Sequence, residues 1–238
     1  MKTKMILILQ VALLVLISSC SRREFLRGRG QETSQIRQVS SFKSVHLKHP
    51  AEVQIYSDSI FYVEVFDYAN LVSYINSDVT GDILVIDVDR FVHMTHSKTR
   101  VVIHMPDLWE TRVFGSGTIR INGPFDHLTR AEISGSGEIN GSGIKSDQTL
   151  NIKISGSGKM EMSGEADNLD ASISGSGKIA VFGLQTKNAY TQISGSGKVE
   201  VATSEYLEAN ISGSGSIIYD GNPRLSTRIS GSGRVYPR

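Results

Sequence analysis

The chain has 238 residues, with 25 Lys and Arg against 24 Asp and Glu, a formal net charge of +1, 23 glycines and 7% aromatic residues. Nucleic-acid binding requires a concentrated basic face, so this near-neutral balance argues against a nucleic-acid partner. Many glycines and few aromatic residues favour an all-β fold rich in turns, with a thin core of small and β-branched side chains.

Residues 1–19 have the organisation of a signal peptide. Lys2 and Lys4 precede the apolar run Met5–Ile17, which is too short to span a bilayer comfortably and is followed by small residues. Cys20 comes next and is the only cysteine, so the chain cannot form an internal disulfide. This segment resembles the lipobox of bacterial lipoproteins. The resemblance implies that Cys20 is lipidated and holds the protein in the outer membrane, on a side that the sequence leaves open; an incidental thiol is the alternative.

Residues 20–38 are rich in arginine and glycine and show little apolar periodicity. We predict a flexible tether between the lipid and the folded part of the chain.

Residues 39–113 form a predicted N-terminal β region. Apolar and polar residues alternate in five runs bounded by turn signals, which predicts five strands. These strands are Ser44–Lys48, Ala51–Tyr56, Ile60–Phe66, Asp82–Val88 and Arg100–Met105. The segment Asn70–Asn76 fits either a helical turn or a strand.

An internal repeat occupies residues 114–238. The repeat contains seven Gly-Ser-Gly turns, and an apolar residue comes before each of them, in most cases separated from it by one more serine. The serines between the two glycines of these turns are 20, 21, 19, 20, 18 and 18 residues apart along the chain. The turn glycines are Gly115, Gly117, Gly135, Gly137, Gly156, Gly158, Gly175, Gly177, Gly195, Gly197, Gly213, Gly215, Gly231 and Gly233. Strand-like alternation flanks every turn, which argues against a flexible linker.

A period near 20 residues predicts one coil of a β-solenoid per repeat, with parallel pairing between successive coils. An antiparallel sheet of adjacent hairpins is the rival architecture. In the solenoid, both turn glycines are expected to adopt positive φ at a corner that has no room for a Cβ. The serines are expected to hydrogen-bond from coil to coil in a ladder along one edge. Variable loops such as Gly164–Leu169 are expected to close the coils. The residues before the turns stack as an inward row: Ile133, Ile154, Ile173, Ile193, Ile211 and Ile229.

The strands from Phe42 to Leu108 and the Gly-Ser-Gly run resemble the autotransporter-adhesin head GIN domain family over about residues 39–238. The resemblance implies a right-handed parallel β-helix-like fold, similar in shape to the pectin-lyase helices but without their catalytic residues. It also implies a role in adhesion or surface interaction.

Few residues qualify as site candidates. Lys159, Lys178 and Lys198 follow three consecutive turns and could bind an anionic glycan, but a solvated face that discourages strand pairing is the interpretation we favour. His93 and His96 have a spacing that needs a helix to converge on a metal, and they lie between strands. Trp109, the only tryptophan, is expected to plug the core at the start of the repeats. We therefore predict no catalytic residues, metal or cofactor.

The sequence thus predicts a lipid-anchored binding or adhesion module of the cell envelope that is not an enzyme, with a glycan or a protein as partner. Two alternatives stay open. One is a polysaccharide-active or glycan-binding β-helix protein, and the other is a structural envelope protein that forms homo-oligomers through its open solenoid ends.

Overall fold

The computed structural model describes residues 24–238, and within them the chain is all β apart from one 3-10 helix, Val72–Tyr74. The N-terminal strands are β1 (Glu24–Arg27), β2 (Glu32–Arg37), β3 (Ser44–Leu47), β4 (Glu52–Ser57), β5 (Tyr62–Tyr68), β6 (Ile75–Thr80), β7 (Ile83–Val88), β8 (Val92–Thr95) and β9 (Arg100–Met105). The repeat strands are β10 (Glu110–Gly115), β11 (Thr118–Phe125), β12 (Arg130–Gly135), β13 (Glu138–Gly156), β14 (Lys159–Gly175), β15 (Lys178–Gly195), β16 (Lys198–Gly213), β17 (Ser216–Asp220), β18 (Arg224–Gly231) and β19 (Arg234–Pro237).

The repeats wind as a solenoid in which each coil adds one strand to each of two parallel sheets. Sheet A runs from β10 through β12 and the C-terminal parts of β13 to β16 to β18. Sheet B runs from β11 through the N-terminal parts of β13 to β16 to β17 and β19. The parallel register confirms the predicted solenoid and excludes the antiparallel hairpin sheet for these repeats.

The predicted N-terminal β region is continuous with this solenoid. β3 pairs in parallel with β10 in sheet A, and β4 pairs in parallel with β11 in sheet B. β7 and β9 form a further coil that lies outside β3 and β4, although they follow these strands in sequence. Antiparallel strands then close this end: β6 pairs with β7, and β5 and β2 extend sheet B beyond β9.

The part of the predicted tether that the structure describes is not flexible coil. β1 pairs in parallel with β8, and β2 is bonded to β5 along its whole length. The arginine- and glycine-rich composition did not predict these two short strands, because each is formed by pairing with a strand distant in sequence. The signal peptide and Cys20 lie outside the described residues. Among residues 24–238, no helix is long and apolar enough to cross a membrane.

The core is a set of inward rows that run along the solenoid. The predicted isoleucine row is in register from Ile133 to Ile229, and the parallel coils extend it to Val113, Leu47 and Ile86. Its members are buried except Ile229, which is 46% exposed on the last coil. A second row on sheet B runs through Val53, Ile119, Ile139, Met160 and Ile179.

Only the first glycine of each corner has positive φ, which corrects the prediction that both glycines need it. The first glycine has positive φ, as at Gly135 (136°) and Gly175 (126°). The second does not, but a Cβ on Gly137 would lie 2.5 Å from Cγ1 of Val113 in the preceding coil. The ladder between corners is also made by the backbone rather than by serine hydroxyls, since the Ser136 amide donates to the Gly115 carbonyl at 2.9 Å.

The predicted variable loops are partly ordered as a third side of the solenoid. Residues 144–146 pair with residues 164–166, and Gly164 to Ala166 pair with Leu184 to Thr186. Ile144 and Leu184 point into the core there. The helical turn and the strand proposed for residues 70–76 both occur, as the 3-10 helix followed by β6.

Candidate binding face

The outward side of sheet B, here called face B, is a continuous surface that the coils build row by row. It extends from β2 through β5, β9, β4 and β11 to β19. Ten steps of about 4.8 Å give it a length of roughly 48 Å. Side chains that alternate with the buried core rows point outward along its whole length, so residues from distant parts of the sequence become neighbours.

The three candidate lysines lie on face B in one row. Lys159, Lys178 and Lys198 are in register on consecutive coils, between Glu138 on one side and Ser216 on the other. Glu200 lies in the next outward row and contacts two of these lysines. Its carboxylate is 3.0 Å from Nζ of Lys178 and 2.6 Å from Nζ of Lys198. The row is therefore a charge-paired surface rather than a patch of free cations.

Glu200 is the least exposed member of this cluster, with a side chain that is 13% accessible. Burial alone would raise the pKa of Glu200, but hydrogen bonds from Lys198 and Lys178 outweigh it and lower the pKa. The same bond to Glu200 raises the pKa of Lys198. Both effects favour the ionised pair at neutral pH.

An aromatic cluster occupies the other end of face B. Tyr62 of β5, His104 of β9 and Tyr56 of β4 are register partners on three adjacent strands. The Tyr56 and His104 rings stack at 5.3 Å between centroids, while the Tyr62 ring meets His104 edge-on at 5.7 Å and 79°. These half-buried rings form one apolar strip on a polar surface.

Carboxylates surround the aromatic cluster and are held in place by it. The Tyr62 hydroxyl donates to Glu64 at 2.6 Å, and His104 Nδ1 is 3.1 Å from Asp58. Hydrogen bonds from Ser34 and Tyr62 lower the pKa of Glu64, and those from the Ser59 amide and His104 lower the pKa of Asp58. These groups are therefore ionised acceptors at neutral pH.

A second polar chain links the cluster to the repeats. Tyr56 donates to Gln54 at 3.0 Å, Gln54 donates to Glu52 at 3.0 Å, and Arg120 Nε donates to the same carboxylate at 3.1 Å. Bonds from Gln54 and Arg120 lower the pKa of Glu52. A shallow groove of about 630 Å³ begins at Arg120 and continues past Asn140 to Glu200.

The remaining sequence candidates do not converge on one place. The Gly-Ser-Gly residues form the corner between sheets A and B and are structural. His93 lies within β8 and His96 lies just beyond its end. Among residues 24–238, no group of three or more His, Cys, Asp or Glu side chains could hold a metal ion. Trp109 is not a core plug: it is half-buried, with Lys43 4.7 Å from its ring centroid and the ring of His127 stacked at 5.6 Å.

Sequence reasoning missed the aromatic cluster. Tyr56, Tyr62 and His104 each occupy an outward position near the end of an alternating run, which is the only local signal they give. Their proximity depends on β9 lying between β4 and β5, an order that the sequence does not display.

The fold places the chain among parallel β-solenoid proteins, with one end closed by antiparallel strands. Residues 41–223 match the model of the family described as "Putative auto-transporter adhesin, head GIN domain", and the chain belongs to that family. The resemblance inferred from its strands and turns is confirmed. No curated protein matches the sequence.

Solved structures share the fold. A "putative adhesin" from Bacteroides fragilis NCTC 9343 is 20% identical with a TM-score of 0.83, covering 90% of this chain and 100% of its own. A "putative lipid binding protein" from Parabacteroides distasonis ATCC 8503 is 25% identical with a TM-score of 0.76 and the same coverage. A "putative adhesin" from Parabacteroides merdae ATCC 43184 is 23% identical with a TM-score of 0.70, covering 90% of this chain and 99% of its own.

Proposed function

We propose that the protein is a non-catalytic adhesion module that binds its partner on face B and is held at the cell envelope by a lipid on Cys20. The observation that carries this proposal is the continuous, preorganised surface of face B. Its outward side chains are fixed in register by the coils and by hydrogen bonds to one another, so little conformational entropy is lost on binding. Membership of an adhesin family supports the same role.

The charges of face B favour binding over catalysis. Acid–base cleavage of a polysaccharide needs titratable groups that converge on one bond with pKa values moved toward the working pH. On face B the pKa values of Glu52, Asp58 and Glu64 are all lowered, so these carboxylates are poor proton donors at neutral pH. Glu200 is likewise held ionised by two lysines.

The lipid anchor follows from the position of Cys20 after a signal-peptide-like segment. Lipidation would leave the folded part outside the inner membrane, which suits an adhesive role at the outer membrane. Growth of a Gram-negative host expressing the full chain with a labelled fatty acid tests this. We expect label on the wild-type protein and none on Cys20→Ser; equal labelling of both proteins would contradict the anchor.

Binding to an array of oligosaccharides and extracellular-matrix proteins tests the adhesive role. The full chain in detergent should bind at least one class of ligand, and the triple variant of Lys159, Lys178 and Lys198 to Ala should show whether that end of face B takes part. Failure of the wild-type chain to bind any glycan or protein would overturn the proposal. Turnover of a bound glycan, abolished by one substitution, would instead support the polysaccharide-active alternative.

A further inference from the structure

The aromatic cluster of Tyr56, His104 and Tyr62 is a feature of face B that neither the solenoid nor the lysine row explains. Core residues of these strands point inward, so the three rings contribute nothing to the buried rows of the solenoid. They lie instead on the outward side, where a soluble domain ordinarily carries charged or small polar side chains. A half-buried aromatic strip rimmed by polar groups on an outward face is a candidate contact surface.

We infer that this cluster, with Glu52, Asp58 and Glu64, binds a neutral glycan. The inference rests on the proposed adhesive function and names its ligand class. A pyranose ring presents apolar C–H groups on its faces and hydroxyls around its edge, and it therefore needs an aromatic surface next to fixed polar groups. Both requirements are met within three adjacent strands.

The polar groups around the rings match hydroxyl donors. Glu52, Asp58 and Glu64 are acceptors at neutral pH, and each already holds a fixed orientation through hydrogen bonds to neighbouring side chains. A carboxylate still has free lone pairs after such a bond, so it can accept from a sugar hydroxyl. Preorganised acceptors of this kind cost little conformational entropy when the ligand binds.

The charge of the cluster disfavours an anionic glycan. Glu52, Asp58 and Glu64 outnumber the two nearby cations, Arg100 and Arg120. Arg120 is bound to Glu52, and Arg100 lies 3.9 Å from the centroid of the Phe66 ring. A sialylated or sulfated chain would place its negative charge against carboxylates whose counter-ions are already engaged.

The surroundings also favour a glycan over a protein partner. The core of a protein–protein interface is depleted in charged residues, whereas ionised groups flank the rings here on both sides. The groove that begins at Arg120 continues from the cluster along the solenoid axis. Its polar rows repeat at the strand spacing of about 4.8 Å, close to the length of one pyranose ring, so successive sugars of an extended chain can meet successive coils.

The test is binding of the full chain in detergent to immobilised oligosaccharides of glucose, galactose, mannose and N-acetylglucosamine, with sialylated and sulfated counterparts and a set of extracellular-matrix proteins. We expect binding to at least one neutral series and weaker binding to its anionic counterparts. Tyr56→Ala and Tyr62→Ala should each weaken binding at least about tenfold. Tyr56→Phe and Tyr62→Phe, which keep the rings, should lose less.

The matched control is Tyr190→Ala. Tyr190 is 44% exposed and packs edge-on against Tyr206 on the outward side of sheet A, so its removal breaks a pair of tyrosine rings away from face B. This variant should bind as the wild type does, and all variants should keep the wild-type thermal transition.

Three outcomes would overturn the inference: preference for the anionic series, unchanged binding by both alanine variants, or binding only to proteins. Binding only to proteins would leave the adhesive function in place and reject the glycan. Binding to nothing would reject the adhesive function itself.

Discussion

A Cβ on Gly137 would lie 2.5 Å from Cγ1 of Val113, because the second glycine of each corner sits against the inward row of the preceding coil. The carbonyl of Gly117 would be 2.6 Å away, so neither a side chain nor the backbone leaves room. Coils pack at this corner only because the glycine has no side chain.

We therefore expect Gly137→Ala to lower the free energy of unfolding by about 1–3 kcal/mol, the usual cost of overpacking a core. Urea unfolding followed by circular dichroism measures this change. Ser136→Ala is the control, since the Ser136 side chain is exposed and its amide, which the substitution keeps, makes the ladder bond. Equal stability of Gly137→Ala and the wild type would contradict the packing explanation.

The isoleucine row allows a comparison of one substitution at two depths. Ile173→Ala removes a 2% exposed side chain between Ile154 and Ile193 and should cost about 3 kcal/mol of unfolding free energy through lost burial and a cavity. Ile229→Ala, in the same row on the last coil, should cost less than about 1 kcal/mol because its side chain is 46% exposed. Equal losses at the two positions in urea unfolding would argue against this assignment of the core.

The repeat part of this fold could be predicted from sequence because each coil contains the same local sequence pattern. An alternating strand, a corner glycine and a fixed spacing define the coil without reference to distant residues. The coil of β3 and β4 lacks this sequence pattern, since Lys48 to Ala51 stand at its corner in place of Gly-Ser-Gly. It nonetheless packs as the other coils do, because a Cβ on Gly117 of the next coil would lie 2.5 Å from Cδ2 of Leu47 on β3.

The aromatic cluster could not be predicted from the sequence, because it depends on the order of strands in the sheet. Tyr56 and Tyr62 are close in sequence but lie on β4 and β5, which have β9 between them. His104 reaches its place only because β9 passes back between two earlier strands. Local alternation predicts that each of these residues points outward, whereas their meeting is a property of the strand order.

The closed end of the solenoid depends on a buried carboxylate. Asp67 is 1% exposed and accepts bonds from the Thr99 hydroxyl at 2.6 Å, the Tyr68 amide at 2.7 Å and the Lys98 amide at 3.1 Å. Asp67→Ala leaves the buried Thr99 hydroxyl and two part-buried amides without their acceptor and should lower the unfolding free energy by about 3 kcal/mol. Thr99→Ser keeps a hydroxyl donor and should cost less than about 1 kcal/mol in the same urea titration. A small effect of Asp67→Ala would show that water replaces the carboxylate.

The Glu200 pair makes a prediction about pH. The pKa of Glu200 is lowered in the folded state, so its contribution to stability is present above the unfolded pKa of about 4.5 and is lost as pH falls through the lower folded value. Glu200→Gln should thus reduce the unfolding free energy by about 1 kcal/mol at pH 7. The difference from the wild type should shrink as the pH falls below about 4.5.

Asp167→Asn is the matched control for this pair. Asp167 and Lys187 form an ion pair with 2.7 Å between charged atoms, but both side chains are more than half exposed, so solvent screens their attraction. The substitution should change stability little at pH 7, although the bond between the two residues is as short as those of Glu200. Urea unfolding at several pH values compares the two variants directly. A Glu200→Gln deficit that stays constant down to pH 3 would show that lost packing, rather than charge, accounts for its effect, because only the charge term follows the protonation of the carboxylate.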